Sequence, residues 1–284
     1  AGADLVVHEK NGYVFHTGDI KELSEGISKL IELPEEDRRK MGDESWRLIT
    51  EWSNRDLSAV FVEYFDSIVF QSEIQDVQPS RVVKKWTQPL RVAIRSFEEV
   101  LIEKDGREIL RLKQVKVRKP HLKFIKKHLN SLITATKLKT EDSKKTGELP
   151  NFIINFVPRR QMGNPYLAKA NPKLLKRLAS EGGCYFLVWA DGTTGKIKSA
   201  IIVVNSERLL IRINHCLLEE MTQALGLPND SNRIEKSIFS DRSRRTDLTR
   251  TDLIVLKTLY DPRMKAGLVR AEAMTVAREI IRDL

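Results

Sequence analysis

The sequence predicts a chain of two parts: an α/β segment, mostly helical as far as it runs here, followed by an α+β domain with a mixed sheet and a central helix. Three observations predict it. Charge is unevenly spread, because residues 1–80 hold 8 Lys and Arg against 17 Asp and Glu, and residues 81–284 hold 41 against 22. The parts therefore carry −9 and +19 of the net +10, a polarity expected of two units of separate origin. Apolar spacing up to residue 70 is mainly helical, whereas beyond residue 80 short apolar runs bounded by turn residues alternate with helical stretches. Finally, Arg208 to Asp230 reads as one amphipathic helix with polar residues set beside its buried stripe.

In the first part, Ala3 to Val7 and Tyr13 to Phe15 read as short extended runs around the Glu9-Lys10-Asn11-Gly12 turn. Asp19 is the expected N-cap of a helix, with Glu22 completing a capping box and Leu23, Ile27, Leu30 and Ile31 forming a buried stripe. Pro34 opens a second helix carrying Arg38, Met41, Trp46 and Ile49, since a missing amide hydrogen costs nothing there. A third runs from about Arg55 to Phe70. His16 stands alone in a loop, without the partners that a catalytic role needs. Residues 71–80 have no apolar period, include Pro79, and read as a linker.

The second part, residues 81–284, starts with a strand at Leu90 to Ile94 and a strand pair from Val100 to Leu112 around Lys104-Asp105-Gly106. Pro120 opens a helix with Leu122, Ile125, Leu129, Leu132 and Ile133 on its apolar side and Lys123, Lys126, Lys127 and Lys137 on the other. Thr140 to Pro150 is a polar loop. Asn151 to Val157 is a strand. Asn171 caps a short helix burying Leu174, Leu175 and Leu178, and Cys184 to Trp189 with Lys198 to Val204 form a hairpin, whose last strand is expected to border a cleft. After the central helix come a basic loop with Asp241, Arg242, Arg244 and Arg245, a helix from Thr249 to Leu259, and a final helix from Arg270.

On the central helix Ile213, Leu217 and Met221 recur every four residues, with Cys216 and Ala224 beside them, and Gly226 ends it. His215, Glu219 and Gln223 share one face, and Glu220 lies one step toward the buried stripe. Carboxylates next to a core are costly without partners, so this face is the candidate site.

Glu219 to Asn229 resembles the zinc helix of the metzincin peptidases, H-E-x-x-H-x-x-G-x-x-H, with the glycine, the Ala-Leu-Gly-Leu run and the central glutamate in place. Glu219, Gln223 and Asn229 stand where the three zinc histidines would, so they are read as binding residues rather than as a metal set. Glu220 matches the family's general base and is the candidate catalytic residue. Ser237-Ile238-Phe239 is similar to the methionine turn, with Phe239 replacing the methionine, and Leu248-Thr249-x-x-Asp252 with Leu259-Tyr260 is similar to the helix beyond it. Residues 81–284 thus resemble an uncharacterised family of bacterial zincin-like domains. The resemblance implies a pseudo-peptidase, a binding or an accessory module. Its alternative is a metal-dependent hydrolase in which His215 and Glu219, with Asp230 or Asp241, hold a metal and Glu220 is the base.

Residues 1–70 resemble the C-terminal end of a retaining GT-B-fold glycosyltransferase, through Asn11-Gly12-Tyr13-Val14-Phe15, Gly18-Asp19, Leu23, Met41-Gly42, Ser45 and Trp52-Ser53. That implies a fragment of a Rossmann-like domain, sugar transfer from a nucleotide sugar, and catalytic residues upstream of Ala1. Two short strands and three helices make no nucleotide crevice, so no cofactor is expected in this chain, and no activity from it alone.

Composition narrows the partners. The 41% hydrophobic content allows a core in each part, and no apolar run approaches a membrane span. The basic second part lacks nucleic-acid motifs and interleaved aromatics, which leaves a protein or a glycan as the expected partner. Cys184 and Cys216 either remain buried thiols in a reducing compartment or pair in an oxidising one. The compartment stays open: cytoplasmic for an intact glycosyltransferase, periplasmic or exported for the zincin-like domain.

Overall fold

A computed structural model of the chain describes residues 5–53, 57–72, 78–104, 107–180 and 183–284. It is mixed α and β, with a five-stranded mixed sheet and nine helices among the described residues. Two compact units divide it, Ala1–Leu57 and Ser58–Leu284.

In the first unit, α1 (Ile20–Glu32) begins where the Asp19 carboxylate accepts from the amides of Lys21 and Glu22. Glu22 does not close the expected capping box; it turns to the amide and ring of His16 instead. Helix α2 (Glu35–Ser53) follows Pro34, and Arg38 donates to the Ile31 carbonyl near the end of α1. Among the described residues the predicted extended runs form no strand pair, and a single bridge joins His8 and Gly12. Nor is the apolar stripe of α1 buried: Ile27 is 51% and Ile31 69% exposed, as is 74% of Trp46 on α2. Ala3, Asp4, Arg55, residues 73–77 of the linker and the Asp105-Gly106 turn lie outside the described residues.

The helix read above with the acidic segment, α3 (Leu57–Phe70), packs in the second unit, where Tyr64, Phe65, Ile68 and Phe70 are buried. The expected strand at Leu90 and the first strand of the following pair are one element, β1 (Val92–Lys104), antiparallel to β2 (Arg107–Val115). With β3 (Phe152–Val157), β4 (Cys184–Ala190) and β5 (Ile197–Asn205) the order is β2-β1-β3-β5-β4. The β1/β3 and β3/β5 pairs are parallel, and the β4/β5 hairpin is antiparallel. Strand side chains alternate between faces, so Phe152, Ile154, Phe156, Ile202 and Val204 enter the main core while Val157 and Val203 enter a smaller one on the far face.

Helix α4 (Lys119–Thr136) covers the main face, but its buried side is His121, Ile125, His128 and Leu132, while Leu122 is exposed. Its two buried histidines belong to neither face as read from the sequence. His121 stacks on Phe156 with ring centroids 4.3 Å apart, and burial holds its pKa below the ordinary value. His128 donates from Nε2 to the side-chain oxygen of Asn214 at 2.8 Å, tying α4 to the central helix. A short α5 (Ser143–Thr146) interrupts the predicted loop, and α6 (Pro172–Ser180) packs Leu175 into the smaller core.

The central helix, α7 (Leu210–Gln223), buries Ile213, Cys216, Leu217 and Met221 as its spacing predicts. A helix end leaves carbonyls without intrahelical donors. Here Trp86 Nε1 donates to Ala224 O at 2.9 Å and the Tyr260 hydroxyl to Leu225 O at 2.8 Å. Gly226, at φ +108°, passes so close to Lys84 O that any Cβ would collide with that oxygen. Lys85 Nζ donates to Leu259 O and Met264 O, at the end of α8 (Arg250–Tyr260); α9 (Arg270–Asp283) closes the fold.

Two expectations follow. Gly226→Ala combines a backbone conformation that alanine resists with a backbone collision, and denaturant unfolding will show a loss of about 3 kcal/mol or more. Burial pushes the Lys85 ammonium down to about 8 from 10.5, against the pull of Asp261. Between those values the unfolded chain keeps a proton that the folded chain releases, so this group makes stability rise with pH. Unfolding at pH 8 and pH 10 will therefore show a smaller rise in Lys85→Met than in the wild type.

Candidate functional site

A cavity of about 800 Å³ opens beside α7, and the residues singled out in the sequence converge on it. His215, Glu219, Glu220, Gln223 and Asn229 all line it, as do Cys184 and Cys216. Asp230 and Asp241 reach it from the chain that follows the helix. The edge strand β4, not the later β5, borders it through Cys184 and Tyr185, because β5 lies inside the sheet between β3 and β4.

The helix positions these groups by its period. Arg208, Arg212, His215, Glu219 and Gln223 follow at steps of four, three, four and four, the spacing of one face. Sequence reasoning found the later three. Arg208, just before the helix, and Arg212, in its first turn, fall in the same spacing, but a basic side chain there is indistinguishable in sequence from a solvated one. Arg177 and Arg244 also line the cavity, from α6 and from the basic loop, and no local pattern joins them to it.

Most of the polar groups are already engaged. Gln223 Nε2 donates to Asp230 Oδ1 at 2.8 Å. Asn229 Nδ2 donates to Ser67 O at 3.1 Å and to Asp230 O at 2.8 Å, which fixes the turn after the helix against α3. His215 Nδ1 donates to Arg245 O at 2.7 Å, leaving Nε2 toward Glu219 at 3.5 Å. Burial lowers the His215 pKa, and Arg244, Arg208 and Arg212 act the same way, so the ring is neutral near pH 7. Asp241 accepts from Asn232 at 2.8 Å.

The loop after α7 is held by one buried carboxylate. Asp252 accepts from Ser237 Oγ at 2.6 Å, from the Ile238 amide at 3.1 Å, and from both the amide and hydroxyl of Thr249, closing the capping box of α8. Ser237-Ile238-Phe239 is thus a tight buried turn beneath the helix, with Phe239 fully enclosed.

A zinc ion does not fit these side chains. Zinc is held by thiolate, imidazole or carboxylate in a closed tetrahedron. Among the described residues the group with metal-ligand geometry is Cys184, Glu219 and Glu220, with ligand atoms within 4.8 Å of one another. Cys184, however, is joined to Cys216 in a disulfide, with Cα atoms 6.1 Å apart, so it has no thiolate to offer. The amides of Gln223 and Asn229 are weak ligands and spend their hydrogens on protein oxygens.

The disulfide clasps β4 to α7 across 32 residues. Loop-closure entropy alone assigns it about 3–4 kcal/mol, so the paired substitution Cys184→Ser with Cys216→Ser will lower unfolding free energy by that order in denaturant titrations.

No curated protein and no solved structure matches the chain. Residues 58–279 match the family described as Protein of unknown function (DUF2927), a stretch that starts where the second compact unit starts. The match takes in about three quarters of the sequence, every strand of the sheet and every residue lining the cavity, and the chain belongs to that family.

Proposed function

We propose that residues 58–284 are a metal-free binding or accessory module, a zincin-like pseudo-peptidase whose cleft holds a ligand without cleaving it. One observation carries this reading. Two of the three positions that resemble zinc ligands are amides committed elsewhere: Gln223 to Asp230, and Asn229 to Ser67 and Asp230. A ligand entering the cavity meets fixed hydrogen-bonding groups and charges rather than a Lewis acid, which suits recognition. A protein or glycan partner is the accompanying proposal.

For residues 1–57 the reading is the closing piece of a glycosyltransferase-like domain, with sugar transfer performed by residues upstream. The uncovered stripe of Leu23, Ile27, Leu30 and Ile31 supports it, because a stripe of that kind is built to be covered by another layer.

The alternative, a hydrolase with Glu220 as base and a metal on His215 and Glu219, draws on the 3.5 Å approach of those two side chains. Elemental analysis decides between them. Protein purified without chelator and dialysed against zinc is expected to hold well under one equivalent; a stoichiometric ion lost in His215→Ala would overturn the metal-free reading.

A further inference from the structure

The cavity beside α7 is lined by arginines as well as carboxylates. Arg208, Arg212 and Arg244 line it, and Arg212 and Arg244 lie near enough to Arg208 to depress its pKa. Their side-chain hydrogen bonds among the described residues go to no carboxylate. Arg208 Nη1 donates to Cys216 Sγ at 3.2 Å, and Arg244 Nη1 to the carbonyl oxygens of Asp241 and Ser243. Glu219 acts on Arg208 in the opposite sense, favouring its charged form.

Arg208 is also seated. A Cβ on Gly183 would lie 2.6 Å from Arg208 Nη1, so the absence of a side chain there makes the groove in which the guanidinium rests. Its burial and its two like-charged neighbours both act against the charged form. A guanidinium that is held in place, partly desolvated and repelled by its neighbours gains most from an anion that bridges all three. Arg212 lies in the first turn of α7 and Arg208 just before it, where the helix dipole adds to the same potential; Glu219 and Glu220 line the same cavity and approach the Cys184–Cys216 sulfurs that Arg208 touches.

We propose that this end of the cavity is an oxyanion subsite, in which Arg208, Arg212 and Arg244 hold a carboxylate or phosphate group of the ligand. Guanidinium forks match the paired oxygens of either group. The site rests on the reading of the cavity as a binding cleft, and supplies the feature by which its ligand is chosen.

Calorimetric titration of the whole chain with inorganic phosphate and, separately, with acetate tests it at fixed ionic strength in chloride. Saturable binding of at least one is expected, weakened tenfold or more in Arg212→Gln/Arg244→Gln, with circular dichroism verifying that the variant is folded. Saturation by phosphate alone identifies a phosphate group and by acetate alone a carboxylate; both outcomes support the subsite. Should the double variant fail to fold, Arg208→Lys serves, since it keeps the charge and loses the fork, and is expected to weaken binding. Absence of saturable binding in the wild type, or equal affinity in a folded variant, overturns the proposal. Neither result alters the zinc measurement, so the failure of the subsite and the failure of the metal-free cleft are told apart.

Discussion

The arrangement of the cavity depends on how the C-terminal end of α7 is closed. Its last carbonyls would be orphaned in the core, and two large side chains from distant segments, Trp86 and Tyr260, supply the missing donors. The Trp86 amide in turn donates to the Tyr260 hydroxyl, so the two donors are themselves linked. Gly226 then lets the chain turn against Lys84, and the polypeptide emerges toward Asn229 and Asp230. Had that end frayed, the residues past the helix would not return to its polar face.

Burying Asp252 and Lys85 is tolerable because each of the two is answered. Asp252 is fully enclosed and accepts from a hydroxyl, an amide and a second capping pair, while Lys85 meets two carbonyls and the face of the Tyr260 ring at 5.0 Å. These contacts fix the loop between α7 and α8, and the loop carries Asp241 and Arg244 to the cavity. On the other side the disulfide holds β4 to the helix. The cleft is therefore walled by elements that cannot drift apart independently.

Elements were legible where a single period ruled them. The stripe of Ile213, Leu217 and Met221, the strand at Phe152 to Val157, and the hairpin from Cys184 are all found where spacing and turn residues put them. Reading failed where tertiary contacts reassigned a side. On α4 the histidines at 121 and 128 look polar in sequence, yet one stacks on Phe156 and the other bonds Asn214, which turns the helix to bury them. Likewise β1 runs unbroken through a stretch whose composition suggested two strands, because pairing with β3 from Val92 to Ser96 and with β2 from Ser96 to Lys104 outweighs local preference. The stripe of α1 was legible as apolar but not as uncovered, since periodicity reports what can be buried rather than what is. At the site, the acidic face and Arg208 and Arg212 were readable from one spacing, whereas Arg177 and Arg244 come from other segments and join the cavity only on folding.

The zincin resemblance and the family of unknown function bear on the same helix, and the chemistry of its side chains decides how to use them. Two of the three positions that resemble zinc ligands carry amides, which zinc holds poorly, and the nearby sulfur of Cys184 is bonded to sulfur and offers no thiolate, which is what supports the metal-free reading. Crystals grown in millimolar zinc and measured on both sides of the zinc absorption edge test this most directly. The account predicts no anomalous peak within coordination distance of Glu219, Glu220 or Gln223; a strong peak touching any of them would contradict it.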